Sequence, residues 1–181
     1  ALTSVQVGAI ETADLAKLGT AQIDALSTAN IVGLTTAQIA SLSSTQVGAI
    51  QAANVSKLSA AQVGAIVTAD LAALTADQIA ALTTANITGL TVGQVAALSS
   101  TQVGEFETAD LAKLSTAQIA ALTTANIVGL NADQMGALTS AQVAAIVTAD
   151  LVKLTTDQIA GLSTANIGGL TTAQMGALTS A

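Results

Sequence analysis

The stretch Leu34-Thr35-Thr36-Ala37-Gln38-Ile39-Ala40-Ser41 decides the fold, because its eight-residue pattern fills nearly the whole chain. Counting from Leu2, every eighth residue through Leu178 is Leu, Ile or, once, Phe106. The sixth position of each octad is always large and aliphatic, as in Val7, Leu15, Ile23 and Met175. The fifth is always Gln, Asn or Asp. Twenty-two octads follow one another without insertion or deletion. So strict a repeat implies that each unit makes the same contacts as its neighbours, and the chain reads as a quasi-one-dimensional solenoid.

Within octad 34–41, Thr35 stands at a helix N-cap and Gln38, three residues on, completes a capping box. Leu34 before the cap and Ile39 after the box form a hydrophobic staple. Ser115 with Gln118 repeats the arrangement, and Thr83 with Asn86 is its asparagine version. Ser, Thr or Asn fills position two in sixteen of the twenty-two octads, so the cap signal runs along the whole chain. Ala or Gly closes most units, and a Gly there can take the left-handed conformation that ends a helix. Each octad therefore reads as about one and a half helical turns and a corner.

The expected fold is an all-α solenoid of very short helices, one per octapeptide. Its buried stripe is expected to include Leu2, Val7, Ile10, Leu15, Leu18, Ile23, Leu34 and Ile39 and, further on, Phe106, Leu111, Leu154 and Ile159. One continuous α-helix fits poorly, since an eight-residue stripe drifts by about 80° per unit. A β-solenoid is the alternative: positions four, six and eight alternate Ala-Ile-Ala, and Thr12-Ala13-Asp14-Leu15-Ala16 resembles a pentapeptide repeat. That fold steps by five residues, however, and the recurrent Ala and Gln suit helices better. An isolated octad buries too little apolar surface to offset the ordering of eight residues. Only stacking closes the gap, so residues 1–181 read as a single continuous solenoid of 22 full units (2–177).

Composition narrows the chemistry. There is no His, Cys, Trp, Tyr, Pro or Arg. No thiolate, imidazole base or ordinary zinc site is available, and the chain is expected to be neither an enzyme nor a cofactor or specific-metal binder. Without Cys, disulfide logic cannot locate it. Net charge is −7 with four cations, Lys17, Lys57, Lys113 and Lys153, a balance that repels nucleic acid. No apolar run approaches the ~20 residues of a membrane span.

A longer rhythm overlies the octads. Thr-Ala-Asp-Leu recurs with Asp14, Asp70, Asp110 and Asp150, and Thr-Ala-Asn-Ile with Asn30, Asn86, Asn126 and Asn166. The last three of each set stand 40 residues apart and the first interval is 56, so the chain grows by whole octads. Asn54 and Lys57 form a hybrid unit in the longer interval. The pairs Asp14/Lys17, Asp110/Lys113 and Asp150/Lys153 have the spacing of surface ion pairs on a helix. Each of the four Asn is followed by Gly three residues later, which marks either a ligand-facing edge or, better, a special corner. Phe106 between Glu105 and Glu107 is the one anomalous cluster, and the only candidate anchor for a ligand.

The Leu-Thr-Thr-Ala-Gln-Ile-Ala-Ala run resembles octapeptide tracts of very large, repetitive bacterial surface or secreted proteins of adhesin type. The resemblance implies extracellular or cell-surface placement and a role as a rod, stalk or self-assembling filament. Polar capping repeats are absent, with Ala1 at the last position of an octad and Ala181 at the fourth of another. The expectation is a segment of a longer array whose partner is itself, by head-to-tail or lateral contact. The alternative is a binding module that holds a protein, glycan or surface on one face.

Overall fold

A computed structural model describes residues 2–178; Ala1 and Ala181 lie outside the described residues. The chain divides into two compact units, Ala1–Ala97 and Leu98–Ala181. Each is an all-α solenoid. Among the described residues there are eighteen α-helices of four to seven residues, four 3-10 helices of three, and no strand. One helical element falls in each octad.

The helices stop early because each octad boundary is extended. Helix Thr36–Ser41 starts after Thr35 (φ −75°, ψ 161°) and ends at Leu42 (φ −67°, ψ 143°); Ser43 is extended again before Ser44–Gly48. Two extended residues in succession, positions one and two, turn the chain. This corrects one expectation: no described glycine has positive φ, so the corner needs no left-handed residue.

Helices three octads apart pack against each other, as Ser4–Gly8 does against Ile31–Gly33, Ser44–Gly48 against Thr68–Leu71 and Ser140–Ala145 against Ile167–Gly169. The core is thin and directional. Position-six side chains are already fully buried at Val7, Leu15 and Ile23, but Ile159 is half-buried and Ile167 and Met175 are about half exposed. Position one behaves in the opposite sense: Leu2 is 49% exposed, Ile10 and Leu18 are half-buried, and from Leu26 to Ile146 the position is buried. Position six is thus covered by the turn that follows and position one by the turn before. Leu2 departs from the expected buried stripe for this reason, and Leu154 is half-buried. Leu34, Ile39, Phe106 and Leu111 lie in the core.

Glycine appears where backbones approach closely. A Cβ on Gly33 would stand 1.9 Å from the carbonyl oxygen of Ser4, on Gly89 1.9 Å from that of Ala60, and on Gly169 2.1 Å from that of Ser140. A backbone oxygen cannot rotate away, so each such glycine is a spacing requirement. Gly168, its neighbour in the same 3-10 helix, meets nothing within 4 Å. Gly169→Ala is therefore expected to lower thermal stability by about 1–3 kcal/mol, the usual cost of overpacking. Gly168→Ala should be neutral or slightly stabilising, by up to about 1 kcal/mol. Equal melting temperatures for the two variants would contradict the close approach.

Candidate functional site

The side chain at position five organises the fold. Gln38 shows the pattern: its Oε1 accepts from the Thr35 backbone N–H at 2.7 Å, and its own backbone N–H donates at 3.1 Å to the Thr35 hydroxyl. Its Nε2 reaches back to the preceding turn, donating to the carbonyls of Val7 at 3.0 Å and Ile10 at 2.7 Å. One amide so caps the start of its own helix and bonds two carbonyls at the end of an earlier one.

The same double bond recurs along both units. In residues 1–97, Gln46 donates to the carbonyls of Leu15 and Leu18 at 3.0 and 2.8 Å, and Gln94 to those of Val63 and Ile66 at 3.1 and 2.7 Å. In residues 98–181, Gln142 donates to Leu111 and Leu114 at 3.0 and 2.7 Å, and Gln174 to Val143 and Ile146 at 3.0 and 2.7 Å. The step is 28 or 31 residues. Divided by eight, that is 3.5 to about 3.9 octads, so a turn takes between three and four octads and the 40-residue rhythm is not a turn. Ser115 and Gln118 form their capping box.

Asparagine does the same work on a shorter arm. Asn86 accepts from the Thr83 N–H at 2.8 Å and donates to the carbonyls of Val55 and Leu58 at 3.0 and 3.1 Å. Asn166 does likewise with Ser163, Met135 and Leu138. Having one methylene fewer, the side chain must bring its backbone nearer to the turn below. These octads carry 3-10 helices, Ile87–Gly89 and Ile167–Gly169 among them, and their final Gly admits the close approach. Asn86 and Asn166 are buried, so the Asn-Gly series is a packing device and not a ligand-facing edge.

A third type of octad has Asp at position five and Glu or Val at position two. Helices Thr12–Leu15, Thr68–Leu71, Thr108–Leu111 and Thr148–Leu151 have no side-chain cap. Asn54 occupies the same frame, in helix Ala52–Val55 after Gln51; its Nδ2 donates to the Leu26 carbonyl while its Oδ1 is buried without a partner. The frame thus faces the carbonyl 28 residues back, and an ionised Asp there brings an acceptor to an acceptor. Asp110 and Asp150 are buried. Burial raises both carboxyl pKa values above the usual carboxylate range, with Glu107 adding to the effect at Asp110. Asp14 forms the expected pair with Lys17 at 3.0 Å on the surface. Asp110 and Asp150 do not pair with Lys113 and Lys153, since their side chains turn into the solenoid.

Phe106 is 3% exposed and its carbonyl accepts from Gln134 at 2.7 Å, so the anomalous unit is part of the core ladder and offers no aromatic anchor. An open polar depression in residues 1–97 is lined by Thr20, Asp24, Gln51, Thr75 and Asp77. Both carboxylates there are exposed and lack the unlike environments that separate an acid from a base. Among the described residues, no group of three or more acidic, His or Cys side chains is placed to hold a metal ion. No described helix is long and apolar enough to cross a membrane.

The ALTTAQ repeat matches residues 7–44, 47–84, 63–100, 77–108, 103–140 and 143–180, tiling most of the chain. No curated protein matches it.

Two experiments test the ladder. Gln142→Glu keeps the acceptor for the Thr139 N–H but removes the donor to Leu111 and Leu114; denaturant unfolding should show a loss on the order of 1–3 kcal/mol. Gln22→Glu, at an exposed amide whose one bond among the described residues is from the Gly19 N–H, should change stability by less than about 0.5 kcal/mol. The second concerns pH. Asp110 and Asp150 hold their protons more tightly folded than unfolded, so their contribution is fully present below the unfolded pKa and is lost as pH rises through the raised folded pKa. Asp150→Asn should reduce this acid-side gain and raise the melting temperature at neutral pH by supplying the missing donor. A lower neutral-pH melting temperature for Asp150→Asn would contradict the assignment.

Proposed function

The chain belongs to the ALTTAQ repeat family, and from that membership and its ladder we propose that it is a structural element whose product is regular length: a rod, stalk or filament segment on the cell surface or outside the cell. The observation that carries this reading is the reuse of one contact, position-five amide to backbone carbonyl 28 and 31 residues earlier, in both units. Such a contact has nearest-neighbour character, so stability accumulates with the number of octads and no central core limits growth. The proposal assigns no catalysis to the chain and no nucleic-acid partner. Its surface placement rests on the resemblance to repetitive adhesin-like tracts. The binding-module alternative loses its aromatic anchor with the burial of Phe106.

Length variants provide the test. Insertion of whole octads should raise the maximum particle dimension in small-angle X-ray scattering by a constant increment per turn and leave melting cooperative. Deletion of four residues within one octad exchanges the two faces and should collapse the melting transition. A maximum dimension that ignores added octads would defeat the reading.

A further inference from the structure

One octad of residues 98–181 lacks both bonds that its neighbours make. Before it, Gln142 accepts from the Thr139 N–H at 2.8 Å and donates to the Leu114 carbonyl at 2.7 Å. After it, Gln158 accepts from the Thr155 N–H at 2.7 Å and donates to the Leu130 carbonyl, and Asn166 donates to that of Leu138 at 2.9 Å. Each acceptor lies 28 residues back. In octad 146–153 the side chain at that position is Asp150, whose acceptor in the same register is the Leu122 carbonyl. Asp150 is 5% exposed, and its carboxyl group has no hydrogen-bond or ionic partner among the described residues. The Leu122 carbonyl likewise receives no donor among the described residues. Asn54 in residues 1–97 shows what the frame allows. On the same kind of four-residue, uncapped helix its Nδ2 meets the Leu26 carbonyl, 28 residues back, at 2.5 Å. An O–H donor spans that separation as well.

We propose that octad 146–153 is an acid-closed joint in the solenoid. A protonated Asp150 carboxyl donates to the Leu122 carbonyl and completes the rung; loss of the proton leaves the rung open while Gln142 and Gln158 hold the octads on either side. The ionised form sets one acceptor against another in a buried place, where a missing donor costs more than at the surface. Local opening relieves it. Helix Thr148–Leu151 has a single turn and no side-chain cap, so little else holds it closed. No neighbouring charge offsets the ionised carboxylate. Helix Thr172–Leu178, which packs against Thr148–Leu151, carries no titratable side chain, and neither do octads 122–129 and 138–145. Lys153 and Asp157, the charged groups next along the chain, are exposed. Burial holds the Asp150 proton above the usual carboxylate range, so the joint is closed in acid and opens as pH rises through that raised value. The inference goes beyond the structural reading above: it gives one octad a give that changes with pH, whatever the solenoid is built to do.

Amide hydrogen exchange on the full chain provides the test, with protection corrected for the intrinsic exchange rate at each pH. Leu151 and Val152, whose N–H groups donate to the Val147 and Thr148 carbonyls, report on the joint. Val143, bonded to the Thr139 carbonyl, is the reference in the octad before it. From about pH 4 to about pH 7.5, protection at Leu151 and Val152 should fall about tenfold or more relative to Val143. Asp150→Asn supplies a permanent donor and should keep the acid-state protection at both pH values. Asp150→Leu removes the charge but supplies no donor, and should stay about tenfold less protected than Asp150→Asn at both. Wild-type protection that ignores pH would overturn the proposal, as would a loss shared equally by Val143. So would an Asp150→Leu variant as well protected as Asp150→Asn, because buried charge alone would then account for the opening.

Discussion

A side-chain amide that bonds in two directions is the constraint on which everything else here depends. Helices of four to seven residues leave most of their backbone groups without helical partners, and in isolation such helices are unstable. Glutamine at position five answers both ends at once. Its oxygen closes the start of its own helix, and its nitrogen closes the end of another helix a turn earlier. Buried Gln38, Gln94 and Gln142 are therefore satisfied polar groups, and the cost of burying them is offset by the orphan carbonyls they reach.

Arm length then explains the variety among the octads. Glutamine reaches the previous turn from a regular α-helical turn. Asn30, Asn86, Asn126 and Asn166 reach it from a tighter one, which draws the backbone close enough to require Gly33, Gly89, Gly129 and Gly169. Aspartate has the reach of asparagine without a hydrogen to donate, and so Asp150 is left buried and reluctant to ionise. Three residue types at one position thus produce three local geometries within one period.

Much of this could be read from the residues. The period, the caps at Thr35 and Ser115 and the stripe through Val7, Leu15 and Ile39 follow from spacing and side-chain chemistry alone. The second half of glutamine's role could not, because its acceptors are backbone carbonyls, which every residue has and no residue type announces. Turn length was hidden for the same reason. The burial of Asp110 and Asp150 left a trace that spacing from Lys113 and Lys153 obscured. Glu107 and Val147, three residues before them, lack the hydroxyl that accompanies Gln38 or Gln142, and that absence marks the uncapped octads. Gly169 pointed to a corner, but the demand comes from the Ser140 carbonyl of a neighbouring turn and not from its own dihedral angles.

The bond from each amide to main-chain oxygen has an evolutionary consequence. An octad asks nothing of its neighbour's side chains at this contact; its glutamine, or its asparagine and glycine, carry the whole requirement. At this bond an octad can face units with different side chains. Unequal recombination that adds or removes octads in frame changes which units are opposed without breaking the bonds between them, and the 56-residue interval beside those of 40 is the kind of scar such structurally silent exchange would leave.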